Sequence, residues 1–131
     1  MYREKNGRVY YTFPGGGMND GESEEACVKR ECLEEFGITV QPIKKLYEYE
    51  DTKPFKTIFL CKWTAGELWT GNGEEFEADR NKGVYIPMQI DVEKILSLPL
   101  VPSEVAKEVY DDYFNSNFEN VNEVKKIVID F

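Results

Sequence analysis

The stretch GGGMNDGESEEACVKRECLEEFGI, residues 15–38, decides how this chain folds. Its first part predicts a loop over residues 14–22, because it is too rich in glycine for a regular element. Ser23 then offers the side chain of a helix N-cap, and Gly37 stands where a helix that ends in a left-handed residue needs glycine. The spacing of these signals predicts a helix over residues 24–36.

The predicted helix carries acid on one face and apolar side chains on the other. At about 100° per residue, Glu31, Glu34 and Glu35 fall within roughly 100° of arc. The opposite side holds Ala26, Val28, Cys32, Leu33 and Phe36. The acids destabilise an isolated helix, because Glu31 and Glu35 are like charges four residues apart and Glu34 and Glu35 lie at the negative end of the helix dipole. A divalent cation would reverse both effects, and Mg²⁺ or Mn²⁺ suits carboxylate ligands without histidine or cysteine.

Two interpretations of the acidic face compete. The glutamates could form a plain solvated helix face, which is what most charge runs are. The surroundings favour a metal site, because a glycine-rich loop lets backbone carbonyls and amides approach a metal or a phosphate closely. Arg30 stands beside the acids and can orient a carboxylate.

The same residues resemble the Nudix box, the signature of the Nudix hydrolase family. The matching positions, each at the family's spacing, are Gly16, Glu22, Arg30, Glu31, Glu34, Glu35, Gly37 and Ile38. The departure is Cys32, where the family usually has Ile, Leu or Val, and a thiol is a small apolar substitute there. Outside the box, the chain agrees with a Nudix domain in element order and length.

This resemblance implies a fold, an activity and a set of site residues. The fold would be a Nudix-type α/β/α sandwich with a mixed β-sheet. Such enzymes hydrolyse a nucleoside diphosphate linked to another group, using bound Mg²⁺ or Mn²⁺ to neutralise phosphate oxygens and activate water for attack on phosphorus. By position, the resemblance assigns catalysis to Arg30, Glu31, Glu34 and Glu35, metal binding to these three glutamates and the Gly15 carbonyl, and structural roles to Gly16, Glu22 and Gly37.

Nudix enzymes generally add a carboxylate from a later loop, as metal ligand or general base. The segment GNGEEFEAD, residues 71–79, offers Glu74, Glu75, Glu77 and Asp79. Glu75 is the preferred metal-binding and catalytic candidate, because family members with a similar Gly-x-Gly-x-Glu-Phe stretch place their glutamate there. The alternative is plain solvated charge. Glu31 and Glu75 are both candidates for the general base.

Composition limits the chemistry that is available. The chain has 131 residues, of which 25 are acidic and 16 basic, a net charge of -9 and no histidine. Without histidine, catalysis runs on carboxylates, lysine, tyrosine, cysteine or a bound cation. The excess of acid disfavours nucleic-acid binding, which needs a basic stripe, and a negatively charged substrate would need a metal in between.

Cysteine usage and targeting signals indicate a soluble, cytoplasmic protein without membrane contact. Cys27, Cys32 and Cys61 are an odd number with no C-x-x-C pair, which predicts small core residues rather than disulfides. The start lacks the apolar stretch of a signal peptide, and the chain has no apolar run long enough for a transmembrane helix.

The remaining elements interleave in one α/β domain over residues 1–131. Strands are predicted at residues 8–13, 38–50, 54–63, 84–88 and 124–131, a short helix at 91–96, and an amphipathic helix from Ser103 to Phe114 that is capped by Ser103 and has Val105, Val109 and Tyr113 on one stripe. Asn6-Gly7 predicts a hairpin turn, although a strand leading into it is almost absent.

The start of the chain is short for a Nudix domain, which usually has one or two more strands before the box. The N-terminal strand is therefore expected to be missing or shortened, through truncation or a start at an internal methionine. The alternative is that residues 124–131, from the same chain or a second subunit, cover the open sheet edge. Both a monomer and a homodimer fit this interpretation.

Substrate signals are few. Pro54, sixteen residues beyond Ile38, resembles a proline mark of ADP-ribose-type Nudix enzymes, but it also fits an ordinary turn. Residues that could stack a base, or simply belong to the core, are Tyr11, Phe13, Phe59, Trp69 and Tyr85. Arg80 and Lys82 could hold a phosphate or decorate a loop.

The leading interpretation is a pyrophosphohydrolase acting on a small nucleotide. The alternatives are a Nudix-fold nucleotide-binding or regulatory protein without turnover, and a nonenzymatic acidic metal-binding domain.

Overall fold

The computed structural model describes residues 1–15, 17–50, 55–69 and 83–129. The elements in these residues are β1 (Tyr2–Lys5), β2 (Arg8–Thr12), α1 (Glu24–Phe36), β3 (Ile38–Tyr49), β4 (Lys56–Gly66), β5 (Val84–Ile86), a 3-10 helix (Val92–Ser97), β6 (Leu100–Val101), α2 (Ser103–Ser116) and β7 (Lys125–Ile127). The strands predicted from residues 8, 38, 54, 84 and 124 are all present, and both predicted long helices form. The two-residue strand β6 was not predicted, because it is too short to show a periodicity.

The strands form two mixed sheets. The four-stranded sheet has the order β5-β1-β2-β6, with β6 parallel to β2 and the other pairs antiparallel. The three-stranded sheet has the order β4-β3-β7, with β4 antiparallel and β7 parallel to β3. This mixed α+β arrangement of sheets and helices is consistent with the predicted Nudix-type sandwich.

Helix α1 begins and ends where the sequence predicts. The Ser23 Oγ accepts a hydrogen bond from the Ala26 amide at 3.1 Å, and Gly37 adopts the left-handed conformation with φ 74°. The helix packs on β3 and buries Cys27, Cys32 and Phe36. The prediction of small core cysteines is confirmed for the first two, each 8% exposed, while Cys61 is half-buried; all three lie within the described residues and are free.

A strand does precede the Asn6-Gly7 turn, so the expectation that it would be almost absent was wrong. Strand β1 pairs with β2 through a two-residue turn in which Asn6 and Gly7 have φ of 54° and 77°. Its other edge pairs with β5, where the guanidinium of Arg3 lies 3.7 Å from the centroid of the Tyr85 ring. Partners on both edges stabilise a strand whose own apolar pattern is weak.

The main apolar core lies where β3 packs against α2 and the segment that follows it. Its buried members are Leu46, Tyr47, Tyr49, Val105, Phe118 and Val121. Strand β7 pairs with β3 at residues 47–49, in the sheet that does not contain β1. Because β1 already forms the N-terminal hairpin, β7 extends the β3 edge rather than substituting for a missing first strand.

Helix α2 differs from the prediction at its cap and on its stripe. The carbonyl of Pro102, not the side chain of Ser103, accepts from the amides of Val105 and Ala106, and the Ser103 hydroxyl donates to Glu104 instead. On the predicted stripe, Val105 is fully buried and Val109 packs on the core, but Tyr113 is 39% exposed. The Tyr113 ring still contacts Phe118 of the core, at 5.9 Å between centroids, so the stripe lies at the core edge in its last turn.

A polar network that is buried at Tyr47 and Asp112 connects α2 to β3 and β7. The Tyr47 hydroxyl donates to Asp112 Oδ2 at 2.6 Å, and the Lys125 ammonium donates to both oxygens of the same carboxylate at 2.8 and 3.0 Å. Lys125 also donates to Glu108 at 2.7 Å. Burial, then the hydrogen bond to Asp112, raise the pKa of Tyr47 above its ordinary value. The network joins β3, α2 and β7.

We expect Tyr47→Phe to lower the free energy of unfolding by about 1.5–3 kcal/mol, because it removes a hydrogen bond to a buried charged group. Urea denaturation followed by circular dichroism measures the difference. Tyr113→Phe, which removes a hydroxyl from an exposed ring on the same helix, serves as the control and should change stability by less than about 0.5 kcal/mol. Equal losses in the two variants would contradict the role of the Tyr47 hydroxyl.

Candidate functional site

Arg30 joins the glycine-rich loop to α1. Its Nε and Nη2 donate to the two carboxylate oxygens of Glu22 at 2.8 and 3.0 Å, which is a bidentate ion pair. The same Nη2 donates to the Gly17 carbonyl at 2.8 Å. One guanidinium therefore fixes two points of the loop against the helix.

The same guanidinium also contacts two of the predicted metal ligands. Arg30 Nη1 donates to Glu31 Oε1 at 2.8 Å and to Glu34 Oε2 at 3.1 Å. The Glu31 side chain is 11% exposed, whereas that of Glu34 is 59% exposed. Arg30 thus holds one nearly buried and one exposed carboxylate. The hydrogen bond to Glu22, then that to Glu31, raise the pKa of Arg30 above its ordinary value.

Glu35 and Glu31 form a close pair of acids. Burial, then the Glu31 charge and a hydrogen bond between the two side chains, raise the pKa of Glu35 to about 7. Two carboxylates in contact cannot both ionise at ordinary cost unless a positive charge lies between them. The pair therefore has the electrostatic character expected of ligands for a divalent cation.

The described residues meet the requirements of a hard cation only in part. Their donors are carboxylate and carbonyl oxygens, which suit Mg²⁺ or Mn²⁺. Within the described ranges, however, no three acidic, cysteine or histidine side chains converge into a ready ligand set, since Glu34 is turned towards Arg30. Gly15 lines the same cavity as Glu31. Gly16 and Glu75, together with Glu74, Glu77 and Asp79, lie outside the described residues.

Glu22 shapes the loop in front of the helix. Its Oε1 accepts from the Asn19 amide at 3.1 Å, in addition to the ion pair with Arg30. The hydrogen bond from Arg30, then that from Asn19, lower the pKa of Glu22 to about 2. An ionised Glu22 carboxylate makes these contacts, and its structural role in the motif stays a prediction.

The depressed pKa of Glu22 predicts a pH dependence of stability. Its contribution is complete above the ordinary pKa of 4.5 and is lost as the pH falls from there towards about 2. Glu22→Gln should therefore lower the Tm at pH 7, and the gap to the wild type should narrow below pH 4.5. Thermal melts of both proteins between pH 7 and pH 3 measure the gap. A gap of constant size would contradict the ionised Glu22–Arg30 pair.

A cavity of about 1260 Å³ opens beside Glu31 and Gly15, between α1 and the two sheets. Aromatic and aliphatic side chains line much of it, among them Phe13, Val28, Tyr49, Phe55 and Ile58. Three lysines and three glutamates also line it: Lys45, Lys56, Lys126, Glu24, Glu31 and Glu48. Sequence reasoning missed Lys45, whose ammonium lies 3.0 Å from Glu24 and 2.7 Å from Glu48, because no motif marks that position.

The aromatic residues considered for base stacking have different surroundings. Phe13 alone among the five lines the cavity. The Tyr11 ring contacts Tyr2 edge-on at 5.5 Å between centroids, and Tyr85 lies against Arg3. Phe59 is half-buried on β4, and Trp69 packs on Gly37 at the end of α1. Pro54, Arg80 and Lys82 lie outside the described residues.

Neither α-helix in the described part of the chain combines the length and the apolar character that crossing a membrane requires.

Comparison with known proteins identifies the family of this chain. Residues 2–91 match the NUDIX domain, which covers more than half of the chain and includes the whole loop and α1. An RNA pyrophosphohydrolase from Pasteurella multocida (strain Pm70) is 38% identical over 47 residues, which are 36% of this chain and 24% of that protein. The aligned stretch thus spans about a quarter of the relative's length. The match over residues 2–91 shows that this chain belongs to the NUDIX domain family.

Proposed function

We propose that the chain is a metal-dependent Nudix pyrophosphohydrolase, which catalyses attack of water on phosphorus in a nucleoside diphosphate linked to another group. The observation that carries the proposal is the acid pair Glu31–Glu35, held next to Arg30, with Glu31 in the wall of a cavity of about 1260 Å³. The family match and the relative's name, RNA pyrophosphohydrolase, support the same reaction class.

The metal ligands in this proposal are the carboxylates of Glu31, Glu34, Glu35 and Glu75 and the carbonyl of Gly15. Bound Mg²⁺ or Mn²⁺ would neutralise phosphate charge and lower the pKa of a water molecule. Arg30 orients Glu31 and Glu34 through its Nη1, while Glu22 and the Gly17 carbonyl hold the guanidinium from the other side. Glu31 and Glu75 are the candidates for the general base.

The proposed substrate is a small nucleotide, with its nucleoside in the cavity. The cavity volume exceeds that of a nucleoside, and its wall combines aromatic side chains with lysines that suit a phosphate. We propose a single domain over residues 1–131, which acts as a monomer or homodimer. The free cysteines support a reducing compartment such as the cytoplasm.

A product screen with Mg²⁺, in which chromatography detects the two fragments of each cleaved pyrophosphate bond, tests the proposed function. The substrates are oxidised nucleotides, ADP-ribose, nucleotide sugars, dinucleoside polyphosphates and coenzyme A, with 5′-triphosphorylated RNA added because of the relative's name. We expect turnover of at least one of the small nucleotides, abolished by EDTA and restored by Mg²⁺ or Mn²⁺. Turnover of RNA alone would overturn the substrate class. Nucleotide binding without any turnover would indicate a binding or regulatory protein instead.

A further inference from the structure

Trp69 lies at the end of the helix that carries the acids. Its backbone amide donates to the carbonyl of Phe36 at 3.1 Å, which is one of the last carbonyls of α1 without a partner inside the helix. Its half-buried indole lies over the α-carbon of Gly37, since a Cβ built there would come within 2.5 Å of Trp69 Cδ1. Trp69 therefore contacts the helix end through its backbone and its side chain.

The chain is packed closely around this helix end. A Cβ built on Gly66 would lie 2.5 Å from the Gly37 carbonyl oxygen, because the end of β4 pairs side by side with the start of β3, with Gly66 opposite Ile38. Gly37 itself needs φ 74°, a conformation that glycine adopts without strain. Gly37 thus lets the indole approach the last turn of α1, and Gly66 lets the β4 backbone do so. A side chain at either position would prevent the corresponding contact.

The last turn of α1 needs an external support. It contains Glu34 and Glu35, which lie at the negative end of the helix dipole, and it has no basic residue to offset them. Before a cation binds, Glu35 also lies against the Glu31 carboxylate. These charges favour fraying of the turn that carries two of the proposed metal ligands.

We propose that Trp69 is a positioning residue that holds the last turn of α1 and thereby sets Glu34 and Glu35 for metal binding. The inference rests on the proposed function for its metal, but the support of the helix end can be measured without one. The hydrogen bond to Phe36 replaces a missing helical bond, and the indole covers Gly37, the residue from which unwinding would begin. Nothing in the Nudix-box pattern itself identifies this residue.

Two measurements on Trp69→Ala test the proposal. In metal-free protein, hydrogen exchange at the amides of residues 34–37 should be faster than in the wild type, while exchange in the first turn of α1 stays unchanged. The Kd for Mn²⁺, measured by electron paramagnetic resonance, should rise about tenfold, as for loss of a group that orients metal ligands. Trp69→Phe should restore most of the affinity, because it keeps a flat ring over Gly37, whereas Trp69→Ala keeps only the backbone hydrogen bond to Phe36. If Trp69→Ala does not fold, Trp69→Leu takes its place.

Two control variants separate positioning from general destabilisation. Tyr47→Phe lowers stability at a site remote from the helix end and should leave the Kd for Mn²⁺ unchanged. Phe114→Ala removes an aromatic ring that lies 54% exposed on α2, and this variant should also bind Mn²⁺ normally. A folded Trp69→Ala with wild-type affinity and wild-type exchange would overturn the proposal, as would an equal loss of affinity in Tyr47→Phe.

The wild-type protein separates failure of this inference from failure of the proposed function. If the wild type binds no Mn²⁺, the proposed metal site is wrong. The exchange measurement then decides alone whether Trp69 holds the helix end, and unchanged exchange in Trp69→Ala would overturn that part as well.

Discussion

Glu35→Gln should lower kcat at least about 100-fold while leaving the fold intact, which is the usual scale for removing an electrostatic contact made in the transition state. The side chain is half-buried beside Glu31, and the pKa of Glu35 is raised to about 7. The amide keeps the size of the side chain but removes the negative charge that a cation requires. Steady-state kinetics at saturating Mg²⁺ and nucleotide measures the loss.

The stability of the same variant should change in the opposite direction. Without a metal, the carboxylates of Glu31 and Glu35 repel each other in a partly buried site, and an amide removes that repulsion. We therefore expect the Tm of metal-free Glu35→Gln to equal or exceed that of the wild type. Added Mg²⁺ should raise the Tm of the wild type more than that of the variant, because only the wild type retains both charges.

Glu25→Gln is the matched control for this prediction. Glu25 lies in the first turn of the same helix and is exposed, so its replacement should change neither kcat nor the response to Mg²⁺. Retention of wild-type activity in Glu35→Gln would remove Glu35 from the proposed ligands. A large fall in its Tm would show instead that Glu35 is structural.

The sequence predicted the parts of the fold that depend on local chemistry. Both boundaries of helix α1 were predicted correctly, because Ser23 and Gly37 act on the helix turn next to them. The prediction for the start of α2 was less accurate, since the Pro102 carbonyl accepts the hydrogen bonds that were assigned to the Ser103 side chain. Strand β1 was missed because its stability comes from pairing with β2 and β5 on either side. The four residues of β1 do not themselves indicate which strands will pair with them.

In the candidate site, too, some contacts follow from the local sequence and others depend on the fold. The motif spacing predicted that Arg30 would hold carboxylates, and the structure brings it to Glu22, Glu31 and Glu34. The contact with the Gly17 carbonyl depends on how the loop folds back, which the motif spacing alone does not predict. The role of Trp69 depends on the path of β4, which ends far from Gly37 in sequence and beside it in space.

Arg30→Lys should weaken Mn²⁺ binding about 10–100-fold and lower the Tm, although it preserves the charge. A lysine ammonium is one compact donor group, whereas the guanidinium of Arg30 presents five N–H bonds in a fixed plane. In the structure, that plane reaches both oxygens of Glu22, the Gly17 carbonyl and two of the proposed metal ligands at once. Lysine can retain only part of this set. Titration with Mn²⁺ and thermal melts of metal-free protein measure the two effects.

Two further variants distinguish the geometry of Arg30 from its charge. Lys29→Arg makes the reverse exchange at the neighbouring, exposed position of α1 and should alter neither Mn²⁺ affinity nor Tm. Glu22→Gln loosens only the loop side of the contact, so its effect on Mn²⁺ affinity should be smaller than that of Arg30→Lys. If Glu22→Gln weakens binding as much, the loop rather than the direct contacts to Glu31 and Glu34 sets the affinity. Wild-type affinity in Arg30→Lys would show that positive charge at this position is sufficient. The planar geometry of the guanidinium would then have no role in metal binding.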